Sequence, residues 1–172
     1  MEMLTKTKPK KIGLKAATKK ILIAVDYDSN AQQIAKQGYS LAQALDAEVI
    51  LLHVVADFHV YSTYEFAPLT GFSGLSNTDF VDYSKEQAIT KRGEHLLAQI
   101  KLHHKNPTAK TLVVEGDFSE TIIKTAHQNQ VDIIVMGSHR KQWLEKLVWG
   151  SVAQDVLFQS EVPIFIIPIK QE

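Results

Sequence analysis

The sequence contains no cysteine, which excludes a disulfide-stapled fold and any cysteine-based metal or redox site. Its formal net charge at pH 7 is zero, so the chain as a whole has no electrostatic preference for nucleic acid. No apolar run approaches the ~20 residues needed to cross a bilayer, and the N-terminus lacks the apolar core of a signal peptide. These absences predict a cytoplasmic protein without nucleic-acid or membrane partners.

Several catalytic signatures are also missing. The sequence has no G-x-x-x-x-G-K-[ST], no G-x-G-x-x-G after its first apolar run and no G-x-S-x-G, so neither a P-loop NTPase, a dinucleotide fold nor an α/β-hydrolase is expected. The histidines lack the H-x3-H spacing of a helical metal site, and we expect no metal ligands. A triad of Ser138, His139 and Asp26 is rejected because Ser138 and His139 are adjacent and nothing orients the imidazole. We therefore expect no catalytic residue.

Positive charge is concentrated at the N-terminus. Residues 1–20 contain seven lysines and a single acid, Glu2. We predict a basic, solvated tail over residues 1–18 and a single domain over residues 19–170, with a docking arm for an acidic partner as the alternative interpretation of the tail.

Short apolar runs alternate with helical patterns along the rest of the chain. The predicted strands are Lys20–Asp26, Glu48–Val55, Lys110–Glu115, Asp132–Met136 and Val162–Ile169. The predicted helices start at a capping box of Ser29 and Gln32, run from Asn77 to His104 and from Ser119 to Asn129, and open at Gly150-Ser151. A long connection, 57–77, and a short helix, 143–148, complete the pattern. Strict alternation predicts an α/β protein with an open five-stranded parallel sheet and helices on both faces.

Four side chains receive structural interpretations. Asp28 is expected to cap the first helix, and His53 to be a hydrogen-bonded core residue. His103 and His104 are expected at a helix C-terminus, where the helix dipole favours positive charge.

Small residues follow the fourth strand and precede the last helix. Gly137-Ser138 are expected to form a loop, and Gly150-Ser151 to open a helix. Glycines let backbone N–H groups approach a ligand, and a helix N-terminus adds unpaired donors and partial positive charge. This arrangement predicts a phosphate site.

With these motifs the chain resembles the universal stress protein family. The matching segments are KKILIAVD at Lys19–Asp26, EVILLHV at Glu48–Val54, V-x-G-x-x-x-E-x-I at Val114–Ile122, MGSH at Met136–His139 and GSV at Gly150–Val152. The resemblance covers residues 19–169. It implies an adenine-nucleotide α-hydrolase-like fold with strand order 3-2-1-4-5, whose ligand cleft lies between strands one and four.

The resemblance also implies a nucleotide site, with one departure from the family pattern G-x2-G-x9-G-[ST]. Arg140 stands where the middle glycine is expected. If that position needs a positive φ or close phosphate approach, Arg140 closes the site; otherwise its guanidinium adds charge-assisted bonds. We favour retained binding of ATP, accompanied by Mg²⁺. The nucleotide-binding residues implied by the resemblance are Ala24, Asp26, Val54, Met136, Gly137, Ser138, Arg140, Gly150, Ser151 and Val152.

The implied function is a dimeric, nucleotide-binding (ATP or AMP) regulator of the stress response. The edge strand Val162–Ile169 is expected to pair with the same strand of a second copy. Two alternatives stay open. One is a dimeric stress protein that does not bind ATP and acts through contacts with an unknown protein partner, and the other is a slow ATP hydrolase.

Overall fold

A computed structural model describes residues 20–56, 83–140 and 150–170 of the chain, with the backbone alone described at 83–86, 139–140 and 170. Three predictions lie outside these residues: the basic tail 1–18, the connection 57–77 and the short helix 143–148. The predicted start of the second helix at Asn77 also lies outside them.

The described residues form a five-stranded parallel sheet with four helices. The strands are β1 (Lys20–Ala24), β2 (Glu48–Val55), β3 (Lys110–Glu115), β4 (Ile133–Arg140) and β5 (Ile164–Lys170). The helices are α1 (Ala31–Ala44), α2 (Tyr83–His103), α3 (Phe118–Gln128) and α4 (Ser151–Gln159). The strand order is β3-β2-β1-β4-β5, which confirms the order implied by the family resemblance.

Alternate residues of the strands face two separate cores. Ile21 and Ile23 of β1 belong to a core that also contains side chains from α1 and α2. Leu22, between them, belongs to a second core with side chains from α3 and α4. Because side chains alternate across a strand and both faces are covered, the central strands appear in sequence as unbroken apolar runs. Helices therefore cover both faces, as predicted.

The fourth strand is longer than predicted. It continues past Met136 to Arg140 because residues 137–140 pair in register with residues 167–170 of β5. The expectation that Gly137-Ser138 form a loop is therefore wrong. Pairing with a strand far away in the sequence overrides the loop preference of these small residues.

The first helix begins later than its predicted capping box. Its N-cap is Asn30, which makes no side-chain cap hydrogen bond, and the Ser29–Gln32 capping box is not formed. Asp28 is not the N-cap either. Its Oδ1 accepts the backbone N–H of Asn30 at 2.7 Å, which closes a turn just before the helix. His103 ends α2, as predicted.

Candidate functional site

A cavity opens at the carboxyl ends of β1 and β4, the two strands that flank the point where the strand order reverses. Its volume is about 220 Å³, many times the ~15 Å³ that one water molecule requires. Nine of the ten residues predicted from sequence line it: Ala24, Asp26, Val54, Met136, Gly137, Ser138, Gly150, Ser151 and Val152. The fold thus brings together residues that are up to 128 positions apart in the chain.

The tenth predicted residue, Arg140, is the last residue of β4. Its backbone is paired in register with Lys170 of β5. A strand backbone is extended, and L-residues with side chains adopt it freely. A need for positive φ, one of the two reasons for which Arg140 would close the site, therefore does not apply at this position; close approach of a phosphate is the other reason.

Val25, the residue that follows β1 and precedes Asp26, is held by two hydrogen bonds. The N–H of Val25 donates to the carbonyl of Leu52 at 2.9 Å. The Nδ1 of His53 lies 3.0 Å from the carbonyl oxygen of Val25, and because a carbonyl only accepts, Nδ1 carries the proton in this bond. His53 is buried, which confirms the prediction of a hydrogen-bonded core residue. Both bonds hold the backbone just before Asp26.

Asp26 itself is exposed at the rim of the cavity. Its Oδ1 accepts the backbone N–H of Tyr27 at 2.7 Å. Asp28, which also lines the cavity, is half-buried. Among the described lining residues these two carboxylates are the charged groups, so the positive charge that would meet a phosphate must come from backbone dipoles or from side chains outside this set.

Glycine at position 137 and glycine at position 150 have different structural explanations. A β-carbon on Gly137 would lie 2.5 Å from the Cδ1 atom of Ile34 of α1, so the Ile34 side chain would have to shift to admit it. Gly150 has φ −58° and ψ 148° and is the N-cap of α4, and a β-carbon there would meet no atom of the described residues within 4 Å. Neither packing against the described part of the chain nor backbone conformation accounts for a glycine at position 150.

The first turn of α4 supplies backbone donors to the cavity wall. The helix begins at Ser151, and its N-cap residue, Gly150, makes no side-chain cap hydrogen bond. The first N–H groups of a helix have no intrahelical partner. Ser151, Val152 and Ala153 all line the cavity.

Eight further lining residues were not predicted. They are mostly apolar and come from both cores: Val25, Asp28, Ile34, Leu52, Phe118, Ile122, Ala153 and Ile169. Leu52 could have been found, because it lies two residues before Val54 on the same face of β2. Phe118 and Ile122 could not, since only the crossing of α3 over the sheet brings them to the site.

The turn into α3 is tightly defined. Gly116 has φ +149°, and its N–H donates to the carbonyl of Val55 at 2.9 Å. Asp117 caps the helix by accepting the N–H of Glu120 at 2.9 Å and the hydroxyl of Ser119 at 2.7 Å. These bonds, led by that of the Glu120 N–H, lower the pKa of Asp117 below its ordinary value. The cap is therefore ionised at neutral pH, which suits a helix N-terminus.

Within residues 20–56, 83–140 and 150–170, no group of three or more His, Asp or Glu side chains could hold a metal ion. None of the helices in that part of the chain is long and apolar enough to cross a membrane.

Comparison with known proteins gives concordant results. The model of the universal stress protein family matches residues 17–168. A universal stress protein of Methanocaldococcus jannaschii is 31% identical over 156 residues, which cover 88% of this chain and 96% of that protein. The solved structure of a universal stress protein from Lactobacillus plantarum is similar with a TM-score of 0.67 at 22% identity, covering 89% of this chain and 99% of that one. A universal stress protein solved in complex with cAMP has a TM-score of 0.56 at 14% identity, covering 88% and 98%. At these identities the two structures show the shared fold.

Proposed function

The chain belongs to the universal stress protein family, and we propose that it binds an adenine nucleotide, ATP or AMP, in the cavity at the carboxyl ends of β1 and β4. Gly150 carries this proposal. It lines the cavity, yet a β-carbon there would meet no atom of residues 20–56, 83–140 or 150–170 within 4 Å. A missing side chain that no packing contact with the described residues and no backbone conformation requires leaves room for a ligand next to the N-terminus of α4.

Phosphate and base find different surroundings in this cavity. The N–H groups at the start of α4 and the hydroxyls of Ser138 and Ser151 are donors suited to phosphate oxygens. Ala24, Val54 and Met136 supply an apolar wall suited to a base, and the exposed carboxylate of Asp26 can accept hydrogen bonds from ribose hydroxyls. A protein of the same fold was solved with cAMP, which supports an adenine nucleotide as the ligand class.

The extended backbone at Arg140 supports binding with the arginine in place of glycine. Mg²⁺ is expected to enter with the phosphates of ATP and to keep several water ligands. In the cell, nucleotide binding would make the protein a regulator of the stress response. A cytoplasmic location stays a prediction from the sequence.

Calorimetric titration of the full chain with ATP and Mg²⁺, and with AMP, tests this proposal. We expect micromolar binding by the wild type. Arg140→Ala is expected to weaken ATP binding roughly tenfold if the guanidinium meets the phosphates. Arg92→Ala removes the same charge from an exposed position on α2 and is the matched control, expected to bind as the wild type. A wild-type chain that binds neither nucleotide overturns the proposal, and tighter binding by Arg140→Ala would show that the arginine obstructs the site.

We further propose a homodimer formed through β5. This strand is at the edge of the described sheet, and its Phe165 is 43% exposed. On α4, the helix that precedes β5, Phe158 is 76% exposed and Leu157 is 45% exposed. An apolar edge strand with unpaired backbone groups is protected when a two-fold mate pairs with it.

Light scattering on the eluting protein tests the dimer. The wild type is expected at twice the chain mass, and Phe165→Lys at the chain mass, because the lysine places a charge on the pairing edge. Leu102→Lys is the control, since Leu102 is also exposed but lies on α2. A wild type that is monomeric in dilute solution contradicts the dimer.

The exposed aromatic residues of α4 and β5 also favour the alternative in which the protein acts by contacting an unknown protein partner without nucleotide. The nucleotide titration and the light-scattering experiment together distinguish the nucleotide-binding function from the contact function. A chain that dimerises but binds neither ATP nor AMP supports the contact function.

A further inference from the structure

We infer that Phe118 forms the wall against which the base of the bound nucleotide packs, so that this residue selects ligands that carry a base. The inference rests on the nucleotide binding proposed above and concerns a residue outside the family's glycine motif.

Phe118 is distinctive among the residues around the cavity. It is the aromatic member of the described lining set, and it is half-buried, packed on the core shared by α3 and α4. Part of its surface is therefore used by the core and part is left facing the cavity. Nucleic-acid bases stack on aromatic side chains because both present flat, polarisable faces.

Hydrogen bonds of the two preceding residues, Gly116 and Asp117, fix the backbone at Phe118. The hydrogen bond from Gly116 to Val55 ties the turn to the end of β2. The Asp117 cap holds the first turn of α3, in which Phe118 is the first residue. A side chain on a pre-organised backbone loses little freedom when a ligand packs on it, so more of the contact energy appears as affinity.

The placement of Phe118 relative to the phosphate donors matches the shape of a nucleotide. Helix α3 packs on β2, whereas α4, which carries Gly150 and Ser151, packs on β4. Strand β1 lies between β2 and β4, so the strands beneath the two helices are about two strand spacings, ~10 Å, apart, while α3 and α4 also contact each other. A ligand that extends across β1 can thus place its phosphate at α4 and its base at Phe118.

The competing explanation is that Phe118 serves the core alone. Ile123 provides the comparison, because it is also half-buried, lies on α3 and packs on the same core, but does not line the cavity. If ligand binding depends on core packing at α3, truncating either residue should weaken it. If Phe118 contacts the base, only truncation of Phe118 should weaken it.

The test is calorimetric titration of the full chain with AMP and with adenosine. Phe118→Ala is expected to weaken both ligands by the same factor, roughly 5- to 100-fold, because the base is common to both. Ile123→Ala is expected to bind both as the wild type does. Phe118→Leu keeps apolar bulk on the core but lacks a flat face, and is expected to weaken both ligands about two- to tenfold. It decides the question if Phe118→Ala does not fold.

Three results would overturn the inference. If the wild type binds AMP and the Phe118 variants bind it equally well, the ring does not meet the base, and nucleotide binding itself stands. If Ile123→Ala weakens AMP as much as Phe118→Ala does, the effect is one of core packing. If the wild type binds neither ligand, the proposed nucleotide function fails and this inference fails with it.

Discussion

Ile34 of α1 lies so close to Gly137 of β4 that a β-carbon on the glycine would be 2.5 Å from the Cδ1 atom of Ile34. Both residues line the cavity. The first glycine of the motif thus allows a helix to pack closely on the sheet beside the site, whereas Gly150 meets no neighbour in the described ranges that a side chain would touch. Two glycines of one sequence pattern therefore have different physical roles.

Gly137→Ala is expected to lower the free energy of unfolding by about 1–3 kcal/mol, because the added methyl group overpacks a buried contact. Ile34→Val removes the Cδ1 atom, so it should lower the free energy of unfolding by less in the Gly137→Ala variant than in the wild type. Urea unfolding of the two single variants and the double variant measures this coupling. Strictly additive effects would show that the two side chains do not meet.

Gly150→Ser is expected to leave stability almost unchanged, within about 0.5 kcal/mol, because serine is a favoured N-cap residue and φ −58° suits it. The same change should weaken AMP binding roughly tenfold, since the added side chain occupies the space beside the helix N-terminus. Gln154→Ser is the control on the same helix, exposed and outside the cavity lining. Unaltered AMP binding by Gly150→Ser would remove the main support for nucleotide binding.

His53→Leu is expected to destabilise the protein by about 1–3 kcal/mol, because the buried carbonyl of Val25 loses the donor that lies 3.0 Å away. Chemical unfolding measures the loss. His95→Leu changes an exposed histidine on α2 and should alter stability by less than about 0.5 kcal/mol. Equal effects of the two substitutions would mean that the bond to Val25 contributes nothing.

Stability is also expected to fall in mild acid because of His104. Its ring stacks on Tyr39 with centroids 4.5 Å apart. Burial, and then the charges of His103 and Lys36, lower the pKa of His104. The unfolded chain therefore binds the proton more readily, so this stabilisation is present above the ordinary histidine pKa of about 6.5 and is lost as pH falls below it. As pH falls from 8 to 5, the urea midpoint should decrease less for His104→Gln than for the wild type. His127→Gln, an exposed control on α3, should show the same decrease as the wild type.

Tyr39, on which His104 stacks, makes a contribution to stability with the opposite pH dependence. Burial raises the pKa of Tyr39 from 10.0 to about 12, so its contribution is present below pH 10 and is lost as pH rises through 12. Its buried hydroxyl has no hydrogen-bond partner among the described residues. Tyr39→Phe should therefore match the wild type at pH 7 within about 0.5 kcal/mol and lose less stability in alkali. A large loss at pH 7 would reveal a bond made by the hydroxyl.

Local patterns predicted the elements well and their junctions less well. Apolar runs such as that of β2 and the Gly116-Asp117 turn before α3 are local signals, and the strands and helices there were predicted within one residue. The failures occurred where a distant partner or a nearby turn competed with the local preference. Gly137 and Ser138 have loop composition but pair with β5, and the Asp28 turn moves the start of α1 past Ser29.

The sequence by itself determined the alternation of strands and helices, the family and the glycine and serine positions of the candidate site, because these are carried by residue types and their spacing along the chain. Only the tertiary structure decided that Arg140 lies in an extended strand, that Ile34 packs closely on the glycine at 137 and that Phe118 reaches the cavity. Each of these depends on how separate elements pack against one another, and such contacts join residues whose separation along the chain carries no periodic signal.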